Sequence, residues 1–251
     1  MIKAVFFDLY GTLFLYGDMK QGWTVWLDAF YSCLREIGLS VSKEEFTTAC
    51  DQFLGRAEPQ NPIAEFSLLE NRIYEFARDF KLTASKDEVK NTAEALVNSW
   101  QDFIDIDPHT KHVLETLKQK YILGLVSNFD HPAHVRKCLK EEGIDILFDT
   151  IVVSAEVGTK KPDPAVFDRA LKETGIQPHE VVYVGDTAGD MKAAEAAGME
   201  FVLIRRQVRG TDESALDFSS KEAGNTKKSE THARSISSLD ELIPFIQRLS
   251  S

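Results

Sequence analysis

Residues 4–13 have the sequence AVFFDLYGTL, and this stretch decides the fold. Its first four residues are apolar and predict a short buried strand, at the end of which Asp8 stands. Gly11 and Thr12 follow where the backbone must turn. Ligands of open α/β sheets bind outside the carboxyl ends of the strands. Asp8 is therefore a candidate nucleophile that can form an acyl or acyl-phosphate ester with an electrophilic substrate.

Four further apolar runs predict the rest of a parallel sheet. They are rich in β-branched or aromatic residues, too short for helices, and continuous rather than alternating, which indicates burial on both faces. Helical patterns separate them, and this alternation predicts an α/β fold with a doubly wound, Rossmann-like parallel sheet. The runs are 122–126, 151–153, 181–184 and 201–204, and the helices between them are 132–142, 164–174 and 191–197.

The long segment between the first two predicted strands has a helical pattern. Apolar residues recur at spacings of three and four within 23–37 and 66–80, and 43–54 and 86–103 also favour helices. This pattern predicts a helical bundle inserted after the first strand. We expect an α/β core domain at 1–15 and 101–251 and a helical cap domain at 16–100.

The end of the chain contains a polar segment and one more predicted helix. Residues 210–235 are almost free of large apolar side chains, which predicts a mobile surface loop. Residues 238–249 predict a closing helix, with Ser238 as N-cap and Glu241 completing a capping box.

The composition excludes several classes of protein. The 251 residues carry a net charge of −11, which argues against affinity for nucleic acid or for an anionic membrane. No apolar run approaches the roughly 20 residues of a membrane span, and we expect no signal peptide. The three cysteines are widely spaced and indicate reduced thiols, hence a cytoplasmic location. The oligomeric state is not indicated.

Polar side chains follow the predicted strands. Ser127 and Asn128 end the second strand, Asp186 ends the fourth, and Asp190 stands four residues further on. Lys161 lies between the third and fourth strands, just before a predicted helix start. Because carboxyl ends of parallel strands meet at one edge, we expect these side chains to lie near the candidate nucleophile. Ser127, Asn128 and Lys161 offer donors for the oxygens of a phosphoryl group.

Three of these residues form a candidate metal site. If Asp8, Asp186 and Asp190 lie close together, their charges repel one another. This repulsion raises the pKa of at least one of the three carboxyl groups unless a cation lies between them. Hard oxygen ligands at this density suit Mg²⁺, which offsets the repulsion between an anionic nucleophile and a phosphoryl group. Asp190 has an alternative interpretation as the N-cap of a helix beginning at Met191.

The motifs together resemble those of the haloacid dehalogenase superfamily. Residues 8–13 (DLYGTL) match its first motif and Ser127-Asn128 its second. Residues 161–164 (KPDP) resemble the third, and 185–190 (GDTAGD) the fourth. The resemblance covers the whole predicted core, and the helical insertion is similar to the cap of the first subclass.

The resemblance implies a role for each matching residue. It implies Asp8 as the nucleophile and Lys161 as the charge partner of the nucleophile and of the intermediate. Asp8, Asp186 and the Tyr10 carbonyl are then Mg²⁺ ligands, and Asp190 is a direct or indirect metal partner.

Tyr10 departs from the pattern of the family's phosphatases. They carry a second Asp here, which protonates the leaving alkoxide and then activates water. A phenol with a pKa near 10 is a poor acid or base at neutral pH. Family dehalogenases do carry Tyr here, and a halide leaving group needs no proton. However, the reaction of those dehalogenases needs no metal. Their fourth motif resembles Ser-Ser-Asn, where this chain has Gly185-Asp186-Thr187. The first predicted cap helix of this chain also lacks the Arg with which they bind the substrate carboxylate.

These features favour a Mg²⁺-dependent phosphatase that acts on a small phosphorylated metabolite through an aspartyl-phosphate intermediate. Two alternatives stay open because of Tyr10. One is a 2-haloacid dehalogenase that uses the same Asp8 nucleophile. The other is a catalytically weak relative that binds phosphorylated metabolites.

Overall fold

The computed structural model describes residues 1–51, 53–206 and 234–249, which divide into two compact units. One unit holds 1–15, 106–206 and 234–249, and the other holds 16–51 and 53–105. The strands are β1 Ala4–Phe7, β2 Phe14–Tyr16, β3 Ile104–Ile106, β4 Ile122–Ser127, β5 Thr150–Val153, β6 Val181–Gly185, β7 Glu200–Ile204 and β8 Arg234–Ile236. The helices are α1 Met19–Glu36, α2 Lys43–Cys50, α3 Leu68–Asp79, α4 Lys86–Gln101, α5 Thr110–Lys118, α6 Pro132–Glu141, α7 Ser154–Val157, α8 Asp168–Thr174, α9 Ala188–Ala197 and α10 Leu242–Leu249.

The first unit contains a six-stranded sheet in the order β5-β4-β1-β6-β7-β8, and every neighbouring pair is parallel. This architecture confirms the predicted α/β fold with a Rossmann-like parallel sheet. All four residues of β1 are fully buried, as expected of a central strand with both faces covered. The strand β8 was not predicted, because its sequence RSI carries no strand signal.

The register of the sheet places three strand ends side by side. Phe7, the last residue of β1, pairs with Leu125 of β4 and with Val184 of β6. The chain fills the β4 side of β1 first and then continues on the β6 side, so the strand order reverses at β1. Such a reversal opens a crevice at the carboxyl ends, where ligands of α/β sheets bind. Asp8, Ser127 and Asp186 all stand at this edge.

The start of α9 differs from the prediction. The helix begins at Ala188, three residues earlier than expected. Its N-cap is Thr187, whose side chain accepts a hydrogen bond from the backbone N–H of Asp190. The Asp190 carboxylate accepts one from the Thr187 N–H in return, which completes a capping box. Asp190 is therefore not the N-cap but the third residue of the helix.

The C-terminal prediction was wrong in its helix start. A 3-10 turn covers Leu239–Glu241, and α10 follows it. Ser238 does stand at the N-cap position of this turn, but its hydroxyl donates to the Asp240 carboxylate and caps no backbone N–H, and Glu241 accepts from the Ser237 N–H, so the predicted capping box does not form. Of the predicted surface loop, 210–233 lies outside the described residues, and 234–235 belong to β8.

The second unit is helical, as the insertion was expected to be. Its helices α2, α3 and α4 each start at a serine whose side chain accepts a backbone N–H. Its core is aromatic: Phe30 lies with ring centroids 5.1–5.4 Å from those of Phe46, Phe53 and Phe76. Within the described ranges, no helix has the length and apolar content that a membrane crossing requires.

Candidate active site

A buried lysine joins two of the predicted carboxylates. The Lys161 Nζ atom lies 2.5 Å from Asp8 Oδ1 and 2.7 Å from Asp190 Oδ1. Asp8 follows β1, Asp190 lies in α9, and Lys161 precedes the 3-10 turn Pro164–Phe167. All three side chains are nearly inaccessible to water, with exposed fractions of 6%, 1% and 5% for Asp8, Asp190 and Lys161. Charges buried this deeply persist only when each has a partner.

Asn128 holds the backbone of Lys161. Its Nδ2 donates to the Lys161 carbonyl at 3.0 Å, and its Oδ1 accepts from the Lys161 N–H at 2.9 Å. The amide oxygen and one N–H of Asn128 are therefore engaged, so its main role in this arrangement is to fix the lysine loop on the end of β4. Its neighbour Ser127 is buried at the same strand end.

Asp186 and the turn after Asp8 pack against each other. Gly11 has a φ of +87°, a conformation that favours glycine, and a Cβ at this position would overlap Asp186 Oδ2. The Asp186 Oδ1 atom is buried and accepts no hydrogen bond from any residue that the structure describes. Buried carboxylate oxygens normally have a donor or a cation beside them.

The three carboxylates fit a hard divalent cation. One oxygen from each of Asp8, Asp186 and Asp190 lies within 4.8 Å of the other two. The Asp190 oxygens are also used by protein donors, since Oδ1 accepts from Lys161 and Oδ2 accepts from the Thr187 N–H at 3.0 Å and its hydroxyl at 2.5 Å. Asp8 and Asp186 are thus the better placed ligands, and a set of carboxylate oxygens is what Mg²⁺ prefers.

The electrostatics of the site follow from this crowding. Burial raises the pKa of Asp8 to about 6, against the lowering effect of the Lys161 ammonium. Burial, and then the charges of Asp8 and Asp190, also raise the pKa of Asp186 well above its ordinary value. Burial alone would lower the pKa of Lys161, but the carboxylates of Asp190 and Asp8 outweigh it and raise that pKa. A cation between the carboxylates would favour their charged forms.

Tyr10 is packed in an aromatic cluster. Its ring centroid lies 5.9 Å from that of Phe14 and 5.2 Å from that of Phe129. Its side chain is buried, and burial raises the pKa of the phenol well above its ordinary value of 10. The phenol therefore stays protonated at neutral pH, which makes it a poor general acid or base there.

Two contacts of the site are not among those predicted from the sequence. The Tyr183 hydroxyl, in the middle of β6, contacts both Lys161 and Asp190. Thr187 bonds Asp190, and the pattern Thr-x-x-Asp is itself a capping signature. The signal for Tyr183 was also present, because a tyrosine in a buried apolar strand needs a partner for its hydroxyl.

Arg206 supports the loop of the first motif from the end of β7. One guanidinium nitrogen donates to the Thr12 carbonyl at 2.5 Å, and another lies 2.6 Å from Asp107 Oδ2. The Asp107 N–H in turn donates to the Leu13 carbonyl. No sequence motif singles out this arginine, since its partners are far away along the chain.

The chain is similar to known hydrolases over most of its length. The family model of haloacid dehalogenase-like hydrolases matches residues 2–198. A glyceraldehyde 3-phosphate phosphatase of Methanopyrus kandleri is 30% identical over 212 residues, which cover 82% of this chain and 85% of the relative. An (S)-2-haloacid dehalogenase 4A of Burkholderia cepacia is 25% identical over 82% of this chain and 84% of its own. The crystal structure of a HAD phosphatase from Thermococcus onnurineus has the same fold, with a TM-score of 0.64, 24% identity and 98% coverage of both chains.

Proposed function

Because the chain belongs to the haloacid dehalogenase-like hydrolase family, we propose that it is a Mg²⁺-dependent phosphatase of small phosphorylated metabolites. The observation that carries this proposal is the buried Asp8–Lys161–Asp190 contact with the Asp186 carboxylate beside it. The similarity to a glyceraldehyde 3-phosphate phosphatase supports a small phosphorylated substrate. In this proposal, the helical unit at 16–105 corresponds to the cap domain expected at 16–100.

The proposed reaction has two steps on Asp8. A carboxylate oxygen of Asp8 attacks phosphorus, an Asp8–phosphorus bond forms, and the bond from phosphorus to the leaving oxygen breaks. Water then attacks phosphorus, the bond between phosphorus and the Asp8 oxygen breaks, and inorganic phosphate leaves with the Asp8 carboxylate restored; the leaving oxygen takes up a proton from solvent, and the attacking water returns one to solvent. The Lys161 ammonium, 2.5 Å from Asp8, keeps the nucleophile ionised and offsets charge on the transferred group. Asn128 holds the lysine loop in place.

The metal part of the proposal assigns Asp8 and Asp186 as ligands, with the Tyr10 carbonyl as the further ligand that the family resemblance implies. Asp190 contributes by holding Lys161 and the start of α9. When bound, Mg²⁺ would offset the repulsion between the carboxylates and an anionic phosphoryl group. The buried Asp186 Oδ1 atom, which accepts no hydrogen bond from the described residues, supports this assignment.

Asp8→Asn is the test of the nucleophile. With p-nitrophenyl phosphate and Mg²⁺, we expect the variant to lose more than about a thousandfold in kcat, because the amide cannot attack phosphorus. The matched control is Asp168→Asn, which makes the same change at an exposed position of α8 and should keep wild-type activity. Phosphate release that survives both EDTA and Asp8→Asn would contradict the proposal.

A 2-haloacid dehalogenase is the second candidate, favoured by Tyr10 and by the similarity to a known dehalogenase. In that reaction Asp8 would displace a halide, which needs no proton from Tyr10. Chloride release from 2-chloropropionate in the presence of EDTA would establish this function. Its absence at high enzyme concentration, together with Mg²⁺-dependent phosphate release, would exclude it.

Tyr10→Asp separates the candidates further. A phosphatase limited by its missing acid should gain activity toward an alkyl phosphate, since general acid–base help contributes about 10²–10⁴-fold. A dehalogenase should lose chloride release instead. If neither the wild type nor the variant turns over any ester while beryllofluoride binds stably, the chain is the weak, metabolite-binding relative.

The remaining assignments concern partners and location. We propose no nucleic-acid partner, on the basis of the net charge of −11. The cytoplasmic location is proposed from the cysteines, which are free thiols at Cys33, Cys50 and Cys138.

A further inference from the structure

The Lys161 ammonium has two neutral contacts in addition to its two carboxylates. Its Nζ atom lies 2.8 Å from the Tyr183 hydroxyl and 3.1 Å from the Val126 carbonyl. Tyr183 stands in β6 and is fully buried. We propose that Tyr183 is a positioning residue whose hydroxyl fixes the Lys161 ammonium between Asp8 and Asp190. The catalytic meaning of this contact rests on the proposed phosphatase function.

The direction of the hydrogen bonds follows from the donors available. A lysine ammonium has three N–H donors and no acceptor, so the Tyr183 oxygen accepts from Lys161. The phenolic O–H is then left to donate, either to the Val126 carbonyl at 3.0 Å or to Asp190 Oδ1 at 3.2 Å. The hydroxyl thus links the lysine to the end of β4 or to α9, which are two fixed parts of the same unit.

The ring packing of Tyr183 does not explain why this position carries a hydroxyl group. The ring lies edge-on to Phe167, with centroids 4.9 Å apart, and 6.4 Å from the ring of Phe201. A phenylalanine would make the same ring contacts in this strand, whose other residues are apolar. Burying a hydroxyl is unfavourable unless it is hydrogen-bonded, and every bond of this hydroxyl goes to Lys161 or to a group that also contacts Lys161.

The neutral contacts would matter most when the charges of the site change. During the proposed reaction Asp8 becomes esterified, and its attraction for Lys161 then weakens. The Tyr183 hydroxyl and the Val126 carbonyl take no part in bond making, so they hold the ammonium at the same place in both steps. An ammonium kept in place does not have to reorganise as charge moves onto the phosphoryl oxygens.

Tyr183→Phe removes this one oxygen and keeps the ring. With p-nitrophenyl phosphate, we expect kcat to fall about ten- to a hundredfold and KM to change little, as for loss of a hydrogen bond to a charged group. The matched control is Tyr31→Phe, which removes a single hydrogen bond to the Val41 carbonyl away from the site and should leave kcat unchanged. An unchanged kcat in Tyr183→Phe would overturn the proposal, whatever its effect on stability.

A double-mutant cycle with Lys161→Met distinguishes positioning from a general structural role. If Tyr183 acts through Lys161, adding Tyr183→Phe to Lys161→Met lowers kcat no further, and the shifts in urea midpoint are not additive. Additive effects on both quantities would refute the inference. The urea cycle does not depend on activity, so a wild type that hydrolyses no ester refutes the phosphatase while this cycle still decides whether Tyr183 fixes Lys161.

Discussion

Lys161→Met should weaken both the folded state and the reaction. The substitution removes the one described ammonium that contacts the carboxylates of Asp8 and Asp190, which are almost fully buried. Removing one partner of a buried ion pair costs about 3–5 kcal/mol, because the other charge is left uncompensated. We expect the free energy of unfolding to fall by about that amount at pH 8, in the absence of a divalent cation.

The loss should depend on pH in a definite direction. Burial already raises the pKa of Asp8 to about 6, and the lysine is the main influence that lowers it. Without Lys161 the pKa of Asp8 rises further, and the folded state takes up a proton that the unfolded chain, with an ordinary Asp pKa near 4, does not hold. The destabilisation should therefore shrink as the pH falls toward 5. A protonated Asp8 is also no nucleophile, so we expect kcat at neutral pH to fall at least about a hundredfold.

Lys160→Met is the matched control, since it makes the same change of charge and shape at an exposed neighbour. Urea denaturation at pH 8 and pH 5.5 gives the free energies of unfolding, and release of p-nitrophenol with Mg²⁺ gives kcat. Equal unfolding free energies for the two variants at pH 8, or equal kcat values, would refute the reasoning.

Three further predictions concern the turn at Gly11, the pH dependence of Mg²⁺ binding and the contacts of Arg206. Gly11→Ala places a Cβ against Asp186 and should weaken Mg²⁺ binding at least about tenfold, as measured by titration calorimetry. The control Gly143→Ala has a similar positive φ but open space around it, and it should leave Mg²⁺ affinity unchanged. Equal Mg²⁺ affinities of the two variants would count against a metal at Asp186. Mg²⁺ should raise Tm more at pH 8 than at pH 5, because the pKa of Asp8 is about 6; equal shifts would argue against a carboxylate site. Arg206→Met should lower the free energy of unfolding in urea by about 3 kcal/mol, because it leaves the buried Asp107 without its partner. Arg234→Met, which breaks the exposed ion pair with Glu200, should lower it by only about 0.5 kcal/mol. Similar losses in the two variants would contradict the special role of Arg206.

The central part of the fold could be predicted because each feature has a local signal. The apolar run 4–7 and the runs of β4, β5, β6 and β7 are continuous, as strands buried on both faces must be. Polar residues directly after such strands meet at one edge for geometric reasons alone. The meeting of Asp8, Lys161 and Asp190 was therefore accessible from the order of strands and motifs.

The contacts that orient these residues were not accessible in the same way. Asn128 and Lys161 are 33 residues apart, and their backbone pairing depends on how the lysine loop returns to β4. The capping box of α9 places Asp190 inside the helix, whereas its spacing from Asp186 favours a metal ligand and the helix predicted from Met191 offers the N-cap as an alternative. The sequence indicates that the Tyr183 hydroxyl needs a partner, but the periodicity of β6 indicates only burial and does not identify Lys161 and Asp190 as that partner.

The charges of the site separate the two candidate reactions. When ionised, the carboxylates of Asp8, Asp186 and Asp190 and the ammonium of Lys161 sum to a formal charge of −2, since three negative charges meet one positive charge. An anionic substrate entering this site would be repelled unless a cation balanced the excess. One divalent ion balances this excess charge completely, and a phosphatase uses such an ion for its substrate as well.

A metal-free dehalogenase has no use for Asp186, whose buried Oδ1 atom accepts no hydrogen bond from the described residues. The Asp186 carboxylate thus weighs more heavily for phosphoryl transfer than Tyr10 weighs against it, because a missing acid only slows a reaction, whereas burial and the charges of Asp8 and Asp190 keep Asp186 from ionising unless a cation lies beside it.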